Sequence, residues 1–363
     1  MKRLLLFVLM LLATNGSYAQ KTKIKTKGTA NAVQGQRWSV EKANAWYKTH
    51  PWMSGANFAP STAINQLEMW QADTFDPTTI DRELGWAEAI GFNTMRVFLH
   101  SLAYQQDPKG FKQRVDTYLG IADKHRIKTI LVFFDDCWNK NPQAGPQPAP
   151  KTGIHNSGWM QDPGDIISRD SSKFIALKPY VQDVLRSFAR DQRILFWDLF
   201  NEPGNSDKLN TSLPLVRNVF AWAREVNPTQ PLSIGLWNWD FEALNKYQAL
   251  NSDIVTYHNY DEAPTHQRII ELLETHGRPL ICTEYMARPR NSRFANIMPL
   301  LKKQNVGAIN WGLVDGKTNT KYQWDVPIAD GGEPVEWFHE VFRKDGTPYR
   351  QDETELIKKL NGK

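Results

Sequence analysis

Two glutamates stand at the ends of strongly apolar segments, where their carboxylates could do acid–base or nucleophilic chemistry. The run 194–200 has the composition of a fully buried parallel strand, and Asn201, Glu202 and Pro203 follow it directly. A second apolar run ends in the same way at Glu284. Glutamate is rarely buried unless it is paired, so a purely structural role is the weaker interpretation. Two such carboxylates held close together could supply a general acid and a nucleophile.

Apolar strands and helical segments alternate along most of the chain. Eight strands are predicted, at 52–58, 93–100, 128–135, 194–202, 231–236, 253–258, 278–284 and 307–312. Helices are predicted at 39–49, 76–90, 108–125, 173–190, 213–226, 241–249, 264–275, 293–303 and 335–342, with a short one at the C-terminus. This pattern predicts an α/β fold, a single (β/α)8 TIM barrel with a short N-terminal helix. An open doubly wound sheet is the alternative, but its usual glycine-rich phosphate turn is missing.

The barrel brings the two carboxylates together. Strands 4 and 7 face each other across a barrel mouth, so Glu202 and Glu284 can converge at the carboxyl-terminal rim. Long loops are predicted after strands 3 and 8, at about 139–170 and 313–333, and loops of this length are usually functional.

Arg96 lies inside the otherwise apolar second strand. A buried arginine needs an anionic partner, so it predicts a carboxylate inside the barrel. Our hypothesis is that Arg96 keeps Glu284 ionised by Coulomb attraction. Burial and the charge on Glu284 would then keep Glu202 protonated.

The segment Trp197-Asp198-Leu199-Phe200-Asn201-Glu202-Pro203 resembles the acid/base strand of glycoside hydrolase clan A, most closely the cellulase-like members around family 5. The resemblance implies a retaining (β/α)8 glycosidase in which Glu202 is the acid/base and Glu284 the nucleophile. It implies that Asn201 bonds the sugar 2-hydroxyl.

The same resemblance covers the later strands. The pair His258 and Tyr260 matches a His-x-Tyr motif that the family places on strand 6, with the tyrosine hydroxyl near the nucleophile. Trp311, at the end of strand 8, matches the family's stacking platform beneath the sugar. Arg96, Asn201, His258, Tyr260 and Trp311 are therefore expected to bind substrate, although a core role is the ordinary alternative for a lone histidine or tryptophan.

The chain departs from the family pattern at the end of strand 3. Family 5 members usually carry a histidine there that contacts the sugar, whereas this chain has Asp135-Asp136-Cys137-Trp138. No further ligands at suitable spacing accompany the aspartates, so neither a metal nor another cofactor is predicted. Asp136 and Trp138 are expected to bind substrate, with a role as loop anchor open for the aspartates. Further candidates for the walls of the sugar site are His100, His155, Trp159, Trp237, Trp239 and Trp324.

The N-terminus predicts export. A basic start, a ten-residue apolar run and small residues before Ala19 describe a signal peptide at 1–19. A Lys-rich tail without apolar periodicity, expected to be disordered, follows at 20–37, and the catalytic domain is placed at 38–363. A bacterial periplasmic or extracellular location without a membrane anchor is expected. A retained, uncleaved anchor is the alternative, which sequencing of the mature N-terminus would identify.

The charge distribution and the cysteine content bear on two further properties, nucleic-acid binding and disulfide formation. The chain carries a formal charge of +5, but six basic residues and no acidic ones fall in residues 1–27. The remainder has 38 basic and 39 acidic residues, so no nucleic-acid partner is expected. Cys137 and Cys282 are placed on non-neighbouring strands and are expected to be buried free thiols. We expect a monomer.

The sequence thus predicts a hydrolase of β-glycosidic bonds in a glucan- or mannan-type polysaccharide or oligosaccharide. Two alternatives stay open: an exo-acting β-glycosidase with a closed pocket, and a non-catalytic sugar-binding barrel. The sugar, its linkage and the cutting mode do not follow from the residues.

Overall fold

A computed structural model describes residues 35–363. The predicted signal peptide at 1–19 and the part of the predicted tail at 20–34 lie outside the described residues. Arg37, which the prediction assigns to the tail, donates from its guanidinium to the carbonyl oxygens of Ala249 and Ser252, at 2.7 Å each. The chain is therefore already bound to the barrel before residue 38. Within 35–363, no helix has the length and apolar character needed to cross a membrane.

Eight parallel strands of the described chain form the predicted barrel. They are β1 Ser54–Asn57, β2 Thr94–Phe98, β3 Lys128–Asp135, β4 Ile194–Asn201, β5 Leu232–Ser233, β6 Val255–His258, β7 Leu280–Glu284 and β8 Gly307–Asn310. Neighbours in the barrel are neighbours in sequence, and β8 returns to pair with β1. A parallel bridge between Leu236 and Tyr257 joins the β5 and β6 sides and completes the ring.

Helices surround the strands as the alternating pattern predicts. They are α1 Val40–Lys48, α2 Gln66–Trp70, α3 Pro77–Ala89, α4 Ser101–Gln106, α5 Pro108–Lys124, α6 Asp165–Ser168, α7 Lys178–Phe188, α8 Leu213–Val226, α9 Glu242–Asn251, α10 Ala263–Glu274, α11 Phe294–Lys303 and α12 Gln351–Asn361. Short 3-10 turns cover Ser171–Leu177, Leu209–Ser212 and Arg288–Arg290.

The helix ends follow local chemistry. The side chain of Asp76 accepts from the backbone N–H of Thr79, and Pro77 takes the first turn of α3, where no N–H is needed. Gly91, at φ +84°, follows the end of that helix. Asn227 ends α8 in the left-handed conformation, which asparagine tolerates better than most residues.

The predicted helix at 335–342 is wrong. Its apolar residues have helical spacing, but the segment is irregular and is held by Arg288. The buried Arg288 guanidinium donates to the carbonyls of Trp337 and Glu340, at 3.0 and 2.9 Å, groups that a helix would commit to its own ladder. The outer position next to α11 is taken by α12 instead.

Several predicted elements are shorter than expected. The predicted strand 5 keeps only Leu232–Ser233, and the predicted helix at 173–190 begins as a 3-10 turn before α7. Strand 6 ends at His258 and strand 8 at Asn310, so Tyr260 and Trp311 lie just beyond their strands. Strand ends are poorly defined by sequence because the residues there bond to loops rather than to a ladder.

Apolar side chains fill the barrel interior at the end opposite the carboxyl-terminal rim. Ile130, Phe196, Ile281 and Ile309 pack together inside the barrel, with Trp38 and residues of α1 in the same cluster. A small apolar layer of Phe98, Val132, Cys137 and Trp159 lies under the carboxyl-terminal rim, with Trp311 packed against it. Packed apolar side chains therefore lie directly under the polar groups of the rim.

Arg288 also forms a buried ion pair with Glu353 of α12, at 2.6 Å. Replacing it by leucine should lower the free energy of unfolding by about 3–5 kcal/mol, because a carboxylate and two carbonyls lose their partner. Urea unfolding followed by tryptophan fluorescence measures the change. Arg169→Gln, which removes the exposed pair with Asp165, is the control and should cost about 1 kcal/mol or less. Equal losses in both variants would contradict this account.

Candidate active site

A cavity of about 720 Å³ opens at the carboxyl-terminal ends of the strands. Its size lies in the range of small-molecule sites in proteins. Glu202 and Glu284 both line it, as do residues from the loops that follow β3, β4, β5, β6 and β8. In a parallel barrel this is the face where side chains from several strands converge.

The Arg96 guanidinium lies fully buried beneath this cavity. It forms ion pairs with Asp198 at 2.8 Å and with Glu284 at 2.9 Å, so the predicted carboxylate partner is present twice. It also donates to the amide oxygens of Asn57 and Asn201, at 2.8 Å each. One planar cation thereby joins strands β1, β2, β4 and β7 at the level of the rim.

Both oxygens of Glu284 are held. Oε1 accepts from Arg96, and Oε2 accepts from the Tyr260 hydroxyl at 2.8 Å. Nδ1 of His258 lies 3.5 Å from Oε2. The carboxylate is thus oriented by a cation on one side and a hydroxyl on the other.

The partners of Glu202 are different in kind. Oε1 accepts from His258 Nδ1 at 2.8 Å, and Oε2 accepts from Asn205 Nδ2 at 2.6 Å and from the Cys137 thiol at 3.3 Å. Burial lowers the pKa of His258 to about 4, so its ring is neutral at pH 7. Where Glu202 is ionised, the proton is assigned to Nδ1, because both oxygens that face this nitrogen are then acceptors. Glu202 therefore receives neutral donors, whereas Glu284 has a permanent cation.

Burial raises the pKa of both carboxyls above the ordinary value of a glutamic acid. For Glu202 the hydrogen bonds from Cys137 and Asn205 oppose this rise. For Glu284 the charge of Glu202 adds to the rise, while His258, Arg96 and the Tyr260 hydroxyl oppose it. One oxygen of each carboxylate, together with a ring nitrogen of His258, falls within 4.8 Å of the others. At that separation the ionisation of one carboxyl disfavours that of the other.

The loop after β4 is strained where it delivers Glu202. Glu202 itself has φ +44°, and Ser206, Asp207 and Leu209 also lie in the left-handed region. Such conformations are unfavourable for residues other than glycine and persist only when the surroundings enforce them.

Asp136 is the group that enforces this loop. Its carboxylate is fully buried and accepts from Lys208 Nζ at 2.7 Å, from the backbone N–H of Gly204 at 2.8 Å and from the Ser212 hydroxyl at 2.6 Å. It does not line the cavity. Its contacts make Asp136 the loop anchor that the sequence left open, rather than a residue of the cavity lining.

Two more predicted contacts need correction. Arg96 does not line the cavity and acts through Asn201 and Glu284 rather than on a ligand. His100 is also absent from the cavity walls. It is completely buried, and its Nδ1 accepts from the backbone N–H of Leu102 at the start of α4.

The other predicted residues do reach the cavity. Its lining includes Trp138, His155, Trp159, Asn201, Trp237, Trp239, His258, Tyr260, Trp311 and Trp324. Asn201 is oriented from both ends, since Arg96 donates to its oxygen and its amide donates to Asp135 at 2.9 Å. Asp135 also accepts from Trp159 Nε1 at 2.6 Å, and burial raises the pKa of Asp135 to about 7. Asp135 and Asp136 thus orient residues of the site without lining the cavity themselves.

Asn205 and the role of Cys137 are not found from the sequence. Asn205 stands three residues after Glu202, in a loop whose course depends on Asp136. Cys137 is a buried free thiol, as predicted, but it also touches Glu202. The only signal in the sequence is that polar residues follow each strand. That signal does not show which of their side chains will turn toward the cavity.

Glu202, His258 and Glu284 are the described residues that could together hold a metal ion. A cation there would compete with Arg96 for Glu284. It would also have to displace the proton that His258 Nδ1 shares with Glu202. The donor set is therefore arranged for hydrogen bonding and proton transfer.

No family model matches the chain, and neither does any curated protein. Solved structures are similar in fold. One is a variant of a GH5_18 protein from Streptomyces cattleya in complex with Manβ1-4GlcNAc, at 11% identity and a TM-score of 0.58, with 86% of this chain and 80% of that one covered. Another is an endo-β-1,4-mannanase from Thermotoga petrophila, at 16% identity and a TM-score of 0.54, with 86% and 76% covered.

An exo-β-1,4-mannosidase from Opitutaceae bacterium strain TAV5 is similar at 16% identity and a TM-score of 0.58, with 92% of this chain and 62% of that one covered. These similarities agree with the barrel built from the strands above. They confirm the (β/α)8 fold that the family resemblance implies.

The ion pair between Asp136 and Lys208 should stabilise the fold in a pH-dependent way. Burial raises the pKa of Asp136, and Lys208 holds it down. In Lys208→Met that pKa rises further, so the unfolded chain ionises at a lower pH than the folded one. Stability then falls as pH rises between the two pKa values. We expect a loss of about 3–5 kcal/mol at pH 7 and a smaller one at pH 4, measured by urea unfolding.

Lys173→Met, which removes the exposed partner of Asp170, controls for the loss of a lysine. It should leave the pH dependence of unfolding unchanged. A pH-independent loss in Lys208→Met would contradict the assigned ion pair.

Proposed function

We propose that the protein is a retaining β-glycoside hydrolase of the clan A, family 5 type. The single observation that supports this most is the spacing of the two carboxylates, which have oxygens within 4.8 Å of each other. Retaining glycosidases hold their carboxyl groups about 5–5.5 Å apart, whereas inverting ones keep them about 6.5–9.5 Å apart to admit a water molecule. The 4.8 Å limit is the closest approach of two oxygens, and such a close approach suits the shorter separation. The similar solved structures, which include a mannanase and a mannosidase, support the same proposal.

In the first step Glu284 attacks the anomeric carbon and the glycosidic C–O bond breaks. Glu202 transfers its proton to the departing oxygen, so the leaving sugar departs as an alcohol and a covalent glycosyl ester remains on Glu284. Arg96 and Tyr260 hold the attacking carboxylate ionised and oriented. Asn201, fixed from both ends, faces the position of the sugar 2-hydroxyl, where a hydrogen bond strengthens as positive charge develops.

In the second step the roles of Glu202 reverse. The carboxylate left after proton transfer takes a proton from water, and the hydroxyl attacks the anomeric carbon and releases Glu284. Asn205, Cys137 and His258 donate to the ionised form and so make it accessible. Half-buried Trp311 offers a flat apolar face to the sugar ring.

We propose a β-linked glucan- or mannan-type oligosaccharide or polysaccharide as substrate. The aromatic side chains around the cavity suit the apolar faces of pyranose rings. Assays on a panel of β-glucans, mannans and xylans distinguish these sugars. We also propose export to the periplasm or medium, which the apolar N-terminus supports and which the mass of the mature protein tests.

Removing the nucleophile should abolish turnover and leave it rescuable. Glu284→Gly should lower kcat on an aryl β-glycoside by about 10⁴-fold or more, because no covalent intermediate can form. Azide should restore activity and yield an α-glycosyl azide, since it attacks from the vacated side. Glu202→Gln should lower kcat about 10²–10⁴-fold for substrates with poor leaving groups.

Glu271→Gln is the matched control, because this glutamate is exposed on α10 away from the cavity. It should behave like the unaltered protein. If the protein only binds sugars, the unaltered protein and all three variants should bind oligosaccharides and hydrolyse none of them. That outcome would contradict the hydrolase proposal.

The hydrogen bond from the Asn205 amide to Glu202 should influence the pH above which activity is lost. It bonds the ionised form of Glu202 and lowers the pKa of that carboxyl. In Asn205→Ala the pKa should rise, so the alkaline limb of kcat/KM, where the acid is lost, moves to higher pH. Cys137→Ala should act in the same direction. Asn218→Ala, whose side chain bonds only to the carbonyl of Pro214 on α8, is the control and should leave the profile in place.

A further inference from the structure

Two long loops join across the barrel mouth. The β3 loop (136–164) and the β8 loop (311–350) are bound by backbone hydrogen bonds from Asn156 to Thr318 at 2.8 Å and from Ile328 to Gly153 at 3.0 Å. We call the joined segments 151–157 and 318–328 the mouth wall. Backbone bonds between two loops restrict both, so the wall is a fixed part of the site.

A side-chain contact strengthens the junction. The ring of His155 donates from Nδ1 to the carbonyl of Tyr322 at 2.7 Å and packs near Trp324, Phe338 and His339, with ring centroids 5.5–6.3 Å apart. Burial lowers the pKa of His155 to about 4, so no charge is buried with it at neutral pH.

The wall borders the β1–β2 side of the barrel and reaches round to the β6 side, where the Trp324 ring lies 4.9 Å from that of Tyr260. Strands β1 and β2 lie between β8 and β3, so a bridge between the β3 and β8 loops passes above them. Below it, the backbone N–H of Lys317 donates to Ser61 at 3.0 Å, and Asn65 donates to the carbonyl of Gly158 at 2.8 Å. The loop after β1 therefore fills the space under the bridge and blocks that end of the cavity.

The open end lies on the other side. Trp138 and Trp239 are 42% and 39% exposed, and they belong to the loops after β3 and β5, which flank the strand that carries Glu202. Trp159, which lies toward the wall, is only 3% exposed. The leaving sugar must lie near the acid that protonates it, so it points toward this opening. The sugar that becomes bound to Glu284 then points toward the wall.

We infer that the enzyme removes single sugars from the non-reducing end of a β-linked chain. This inference rests on the proposed function and adds the cutting mode. A chain that continued beyond the sugar on Glu284 would have to pass through the hydrogen-bonded mouth wall. A chain that continues from the leaving oxygen runs out past Trp239 into solvent.

Linear β-1,4-linked hexasaccharides labelled at the reducing end test the cutting mode. Early in the reaction we expect free monosaccharide and the labelled pentasaccharide, followed by the labelled tetrasaccharide. A hexasaccharide whose terminal non-reducing sugar carries a bulky 4,6-acetal should resist cleavage. Labelled di- and trisaccharides among the first products, or rapid cleavage of the blocked chain, would overturn the inference.

Two tryptophan variants link the result to the wall. Trp324→Ala removes a ring from the inner face of the wall and should raise the rate on the blocked hexasaccharide relative to the free one. Trp239→Ala, on the open side, should raise KM for the free hexasaccharide without allowing cleavage of the blocked one. An equal response of both variants would contradict the assignment of the two sides.

The same assays separate the two proposals. If the protein hydrolyses oligosaccharides internally, the hydrolase stands and the exo-acting mode fails. If it turns over no glycoside while the Glu284→Gly variant gains nothing from azide, the proposed function fails.

Discussion

The site depends on one buried cation. The Arg96 guanidinium is removed from water, so each of its donors needs an acceptor, and the barrel supplies two carboxylates and two amide oxygens from three other strands. This requirement fixes where Asn201 and Glu284 can be. The cost of desolvating the ion is offset only while all of these partners stay in place, so the same contacts that stabilise the rim also hold its functional groups.

Two carboxyls of the same type acquire different properties from their surroundings. Glu284 contacts a permanent cation and a hydroxyl, while Glu202 contacts an amide, a thiol and a neutral imidazole. A group next to a cation stays ionised more readily than one that meets only neutral donors. Arg96 lowers the pKa of both carboxyls but contacts only Glu284, so the direct ion pair favours the charge on Glu284. The double displacement proposed above requires that arrangement.

The strands were predictable because burial on both faces leaves a continuous apolar run, and their polar ends marked the rim. Glu202, Glu284, Asn201 and His258 could be placed there on that basis, and the demand of Arg96 for an anion was met. Asp136 and His100 could not be assigned correctly, because a polar residue after a strand can turn toward the cavity or toward a neighbouring loop. The helix expected at 335–342 failed for a related reason: Arg288, distant in sequence, binds carbonyl groups that the helix would have used.

By itself the sequence determined the barrel, its two opposed glutamates and the buried arginine between them, since periodicity and the cost of burying charge act locally along the chain. Only the tertiary structure decided which groups touch Glu202, that Asp136 anchors the strained loop behind it, and that two distant loops meet over one end of the mouth. Apart from the bond between Asn205 and Glu202, these contacts join residues from 56 to about 175 positions apart. No local pattern encodes which of many polar side chains will meet once the ring of strands has closed.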